Sequence, residues 1–230
     1  MNTYTWIFTG LLVVTLILYI LGQVNRIMAL EKIARVLFMP FIAGIILSIL
    51  TVYLPDSHHI LVLSTFAYAA ATLFMLNTLK DKKRFLKMTE GLFFILNQSM
   101  WGMLIFSVYR IYRVPTFVYI IAGIIYLAGF IVLCILVKKQ SLVKYTGALI
   151  LYAFSAYLGL TTLLSLIYEK RLFSVLMFTG SIAYMLETLF IIIQRTRPFD
   201  ITEKTEKFVI TIMTVCTAAL MGAGAVLMQI

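Results

Sequence analysis

Apolar residues along this chain fall into eight runs of roughly 20, separated by short polar connections. The runs lie at about 5–24, 34–54, 60–79, 90–111, 115–137, 145–167, 172–194 and 208–229. A helix rises ~1.5 Å per residue, so a run of this length crosses a hydrocarbon layer of ~30 Å. The pattern predicts an all-α protein, an integral membrane helical bundle of about eight transmembrane helices, forming one transmembrane domain over residues 1–230. Short connections predict antiparallel neighbours, and the longest connection is the charged stretch 195–207. Pro40 interrupts the second run and is expected to kink it near the functional pocket, because proline removes a backbone donor and crowds the preceding turn. Pro55, Pro115 and Pro198 mark run ends. In the last run Ala218, Gly222 and Ala225 form a small-residue stripe that permits close backbone approach. Segments 60–98 and 150–187 share an order of apolar run, basic loop and polar-dotted run, a likeness too loose to define a repeat.

Charge orients the bundle. Of 19 Lys and Arg residues, 15 lie in or beside the odd-numbered connections and only Arg110, Arg113, Lys170 and Arg171 in the even ones. Basic residues accumulate on the cytoplasmic side of membrane proteins, so the odd connections are expected inside, with both termini outside the plasma membrane. Tyr109, Arg110, Tyr112 and Arg113 fit an outer interfacial anchor.

Composition narrows the function. Apolar residues make up 63% of the chain and charged residues 12%, against ~25% charged in a soluble domain. No room is left for a soluble catalytic domain. A net charge of +10 would suggest nucleic acid in a soluble protein, but here the basic residues flank spans and face an anionic leaflet. Membrane lipids, not nucleic acid, are the expected partners. Segment 5–24 lacks the basic start and small-residue cleavage site of a signal peptide and reads as a retained span. Cys134 and Cys216 sit inside apolar runs as small buried hydrophobes. Asp56, His58 and His59 are the nearest approach to a metal cluster, yet adjacent histidines in a short outer loop read as solvated. No metal or cofactor is expected. There is no nucleophile elbow and no phosphate loop, and the sequon at Asn97 lies within a span.

Polar side chains inside spans are costly in hydrocarbon and face the bundle interior, which makes them the functional lead. Glu187 is the one deeply placed acid. Gly180, Tyr184, Glu187, Ile191 and Gln194 share a helical face, as do Glu90, Phe94, Asn97 and Trp101, with Gln98 alongside and Asn77 ending the third run. These placements predict a polar pocket in the cytoplasmic half of the bundle, open to the inner leaflet. The competing reading makes Asn77, Asn97 and Gln98 helix-to-helix fasteners.

Four segments together resemble the lysoplasmalogenase-like (YhhN-like) membrane family. Arg35-Val-Leu-Phe-Met-Pro40 is similar to its K-P-L-x-M-P opening. Leu73-Phe-Met-Leu76, the basic loop ending at Phe85, and Gly91 leading to Phe94 resemble its G-D-x-L-L … F … G-x-x-x-F … H block. Tyr152 and its small followers resemble the sixth span, and Gly180 to Thr188 resembles the G-A-x-L-F-x-x-S-D signature. The resemblance covers most of the chain and implies eight helices and hydrolysis of the vinyl ether of lysoplasmalogens, giving an aldehyde and a glycerophospho-base. It implies Glu187 as catalytic acid and Asn77, Asn97, Gln98, Tyr184 and Thr188 as substrate-binding residues. This chain departs from the pattern at three points: the first family acid aligns near Ala71, the second with Thr188 beside Glu187, and the histidine near Gln98. An amide cannot act as acid or base at neutral pH, and water attack on a vinyl ether normally calls for a second ionisable group. A catalytically silent lipid- or partner-binding relative, or a small transporter using Glu187 as a proton-coupling carboxylate, stays open beside the hydrolase.

The charge pattern yields a direct test. A reporter fused after Ile230 should be active if it works only outside the membrane and inactive if it works only in the cytoplasm. The reverse result would invert every connection.

Overall fold

The computed structural model describes residues 3–53, 58–78, 84–108, 115–137, 141–196 and 202–228. Among them the chain is entirely helical, with eight helices in order: α1 (Thr3–Val24), α2 (Met28–Tyr53), α3 (His58–Thr78), α4 (Arg84–Val108), α5 (Thr116–Val137), α6 (Leu142–Glu169), α7 (Leu172–Thr196) and α8 (Glu203–Leu227). Seven are long and apolar enough to cross a membrane, and α4 carries a shorter apolar stretch, Gly91–Ile105. Several helices overrun their apolar runs at the basic ends, so that α2 already includes Glu31 and Lys32. Long basic side chains allow this, because their stems lie along apolar surface while their charged ends stay in water. Asp56, the Tyr109 to Arg113 anchor, Pro55, Pro198 and most of the basic connections lie outside the described residues.

Two connections show how the chain turns so tightly. After α1, Arg26 takes φ 58° and the Ile27 N–H reaches back to the Gly22 carbonyl. After α6, Lys170 takes φ 51° and its N–H bonds the Leu166 carbonyl. A single left-handed residue stops a helix and reverses the chain. Gly22 is required at the first turn, since a Cβ there would stand 2.7 Å from the Glu31 nitrogen.

Helices α2, α3, α4, α6, α7 and α8 pack in a closed ring, with α3 also touching α8 across it. Helix α1 lies outside against α2, and α5 outside against α6. Both outer helices turn bare apolar faces outward, including Leu16, Ile17 and Ile20 on α1 and Ile120, Ile124 and Ile131 on α5. In water such patches would drive association; here they are the surface that lipid covers. Inside the ring an aromatic column forms: Tyr68 meets Trp101 edge-on at 5.5 Å, Phe94 meets Phe74 at 5.1 Å, and Phe94 meets Tyr184 at 5.8 Å.

Pro40 does not serve the interior. Helix α2 continues unbroken through it, and Pro40 is exposed while its neighbour Met39 is fully buried. Its ring therefore lies on the outer face of α2. The small-residue stripe of α8 does seat the helix: Ala218 and Ala225 are buried, and a Cβ on Gly222 would come within 2.0 Å of the Tyr68 hydroxyl and 2.8 Å of Ile46. Gly222→Leu should therefore force α8 away from α2 and α3, at a cost of ~1–3 kcal/mol or more. A fall in the midpoint of detergent-induced unfolding would show it, and an unchanged midpoint would mean that the close approach is dispensable.

Candidate functional site

The interior of the ring holds a polar cluster built by four helices. Glu187 and Thr188 on α7, Asn97 and Gln98 on α4, Ser155 on α6 and Thr214 on α8 are all buried, Glu187 completely. Each lies within a few residues of its helix's midpoint. This puts the cluster near the middle of the bundle along its helices.

The bonding divides into two parts. In the first, the Gln98 amide donates to Ser155 Oγ at 2.8 Å and to Thr188 Oγ1 at 3.3 Å, while the Ser155 and Thr188 hydroxyls sit 2.5 Å apart. Thr188 passes its own proton to the Tyr184 carbonyl at 2.8 Å. Amide to serine to threonine to carbonyl is thus a continuous donor chain, and it ties α4, α6 and α7 together. In the second part, Thr214 Oγ1 donates to Glu187 Oε1 at 2.5 Å and also lies 2.7 Å from the Ile210 carbonyl. One hydroxyl proton faces two acceptors. The conflict vanishes when the carboxyl carries its own proton, since the acid then donates to threonine and the threonine serves the carbonyl. Asn97 Nδ2 donates to the Ala67 carbonyl at 2.6 Å, fastening α4 to α3.

Several atoms stay unmatched. Glu187 Oε2, Asn97 Oδ1, Gln98 Oε1, the Tyr184 hydroxyl and Trp101 Nε1 are buried without a hydrogen-bond partner. Asn97 and Tyr184 border a narrow gap lined also by Ala71, Phe74, Phe94 and Thr214. The gap is too constricted to admit a water molecule. The gap is therefore dry in this state.

The structure brings Asn97, Gln98, Tyr184, Glu187 and Thr188 together, as their helical faces predicted. Gly180 and Ile191 are buried on the same face of α7. Asn77 stands apart: it is half-buried near the end of α3, and no hydrogen bond joins it to the cluster among the described residues. The Glu90 side chain lies outside the described residues. Sequence reasoning passed over Ser155 and Thr214. Hydroxyl residues are common in these spans, and most return their proton to their own helix, as Thr65 does to Leu61 and Thr179 to Val175. Nothing local distinguishes Ser155 and Thr214 from the rest, and Thr5 with Ser48 and Thr162 with Ser181 also bond from one helix to the next. Ser64, Ser165 and Ser174 are buried as well, away from this bonding.

No family model, curated protein or solved structure matches the chain. Among the described residues no group of His, Cys, Asp and Glu is placed to hold a metal. The site offers one ionisable carboxyl, a hydroxyl–amide chain and a closed gap.

Glu187 lends itself to a graded test. Glu187→Gln keeps the shape and the contact with Thr214, and should leave stability within ~0.5 kcal/mol of the parent. Glu187→Ala removes the bond and opens a cavity, and should cost ~2 kcal/mol or more. Equal effects of the two changes in an unfolding titration would show that the carboxyl's contacts carry no weight.

Proposed function

We propose that the protein is a divergent lysoplasmalogenase-like membrane protein that handles single-chain ether lipids at the mid-depth cluster, with Glu187 as its proton donor. The observation that carries this reading is convergence. Ala71, Gln98 and the Glu187–Thr188 pair, where the resemblance puts two acids and a histidine, come from three helices and meet around one buried cluster.

The chemistry follows from the residues. Hydrolysis of a vinyl ether begins with protonation of the alkene carbon distal to oxygen. Water then adds to the resulting oxocarbenium carbon, and the hemiacetal collapses to an aldehyde and a glycerol hydroxyl. Glu187 can supply the proton. Gln98, Asn97 and Tyr184 offer unpaired polar atoms to the glycerol portion. On this reading the basic connections face the cytoplasm and both ends lie outside the plasma membrane, in line with the bias of basic residues to the inner side, and the lipid enters from the inner leaflet.

A second reading has its own support. Ala71 lines the gap where the resemblance calls for an acid. On this reading the chain binds the lipid and does not turn it over.

One assay separates the two. Purified protein is given lysoplasmalogen and the matching ester lysolipid, and aldehyde release and lipid binding are both recorded. The hydrolase reading expects aldehyde from lysoplasmalogen alone, abolished in Glu187→Gln. The binding reading expects retention of the lipid without aldehyde. Neither release nor retention would sink both.

A further inference from the structure

A shift of 116 residues, without a gap, carries α1–α4 onto α5–α8 with every helix end matched to within three residues. The packing repeats with it. Helix α1 lies on α2 as α5 lies on α6, α3 pairs with α4 as α7 pairs with α8, and the two junctions that close the ring, α4 on α6 and α8 on α2, are equivalents. Under the same shift Ala67-Tyr68 falls on Ala183-Tyr184, Thr72-Leu73-Phe74 on Thr188-Leu189-Phe190, and Thr89-Glu90 on Thr205-Glu206. An even number of helices per unit gives both units the same orientation, the arrangement of parallel repeats about an axis along the membrane normal, where sites sit at mid-depth between the repeats. The gap lies there, bounded by α3 and α4 from one unit and α7 and α8 from the other.

The symmetry is broken at one pair of tyrosines. Tyr68 on α3 donates across the ring to the Ala218 carbonyl on α8 at 2.9 Å. Its counterpart Tyr184 on α7 should donate to the counterpart of Ala218, which is Gly102 on α4. That bond is not made. The polar neighbour of the Tyr184 hydroxyl is the Trp101 indole, which can only donate, so the tyrosine proton is left without an acceptor. The space beside Gly102 is held by the Tyr157 ring, whose Cε1 would lie 2.4 Å from a Cβ at that position.

We propose that the chain consists of two parallel four-helix repeats, and that the gap between them is the shut state of a two-state site. In the other state Tyr184 donates to Gly102 while Tyr68 releases Ala218. Helices α3 and α8 then part, and the gap widens between Ala71 and Thr214. The buried atoms left unmatched in the shut state gain water or ligand when it opens, which gives the second state its driving force. What enters rests on the lipid-handling role proposed above; the movement itself does not, and it is tested without lipid.

The probe is a cysteine at Ala71, in a background with Cys134→Ala and Cys216→Ala, labelled with N-ethylmaleimide in detergent. A thiol reacts as thiolate, which requires water, so the labelling rate reports the open population. Tyr68→Phe removes a bond made only in the shut state and should speed labelling about threefold, while Tyr184→Phe removes one made only in the open state and should slow it about as much, each shift corresponding to one typical interhelical hydrogen bond. The double variant should return toward the parent. Opposite signs are the signature, because purely structural damage would speed both. Tyr184→Phe takes away a hydroxyl without an acceptor, so it tests the proposal even if Tyr68→Phe does not fold. Faster or unchanged labelling in Tyr184→Phe overturns the switch, whatever the lipid assay shows.

Discussion

Polar groups inside a lipid bilayer have no water to fall back on, and the rest of this architecture depends on that constraint. Lipid and protein interior are equally apolar, so exclusion of apolar surface does not hold one helix to another. What selects the arrangement is close packing together with the need of each buried polar group for a partner inside the bundle. The Gln98–Ser155–Thr188 chain meets that need across three helices, and Tyr68 with Ala218 meets it across the ring. Arg35 does the same near the basic end, where its buried guanidinium bonds the Lys207 carbonyl and fastens α2 to α8. Small residues supply the other half: Gly222 lets the Tyr68 hydroxyl come against the α8 backbone.

Much of this was legible from the chain alone, for reasons that are physical. Helix number and approximate position follow from run length, because hydrocarbon admits little else. The faces of α4 and α7 were legible because a carboxyl or amide in a span has one affordable direction, inward; hence the placement of Glu187, Asn97 and Gln98. The errors have physical causes as well. Pro40 was expected to kink its span near the pocket, yet α2 runs unbroken through it and the residue lies on the outer face of the bundle. Asn77 failed because an amide near a helix end reaches interfacial water and needs no buried partner. The repeat was missed because the likeness of 60–98 to 150–187 compares α3 and α4 with α6 and α7, one helix out of register with the packing.

The same constraint connects fold to function. A fully bonded polar cluster would be a fastener and no more. Here the cluster fastens α4, α6 and α7 together, yet Asn97, Gln98, Tyr184 and Glu187 each keep a buried atom without a partner. Atoms left unmatched at such depth weaken the shut state and leave hydrogen-bonding capacity for a ligand. On the function proposed above, a single acid at this site serves proton donation, and Ala71 stands where the resemblance calls for a second acid.

The central claim is that the hydroxyl–amide chain, not apolar packing alone, joins α4 to α7. A double-mutant cycle with Gln98→Leu and Thr188→Val, read from unfolding free energies in detergent or bicelles, tests it directly. A coupling of ~0.5–2 kcal/mol between the two sites is predicted. Additive effects within experimental error would contradict the account and leave the cluster as a set of independent buried side chains.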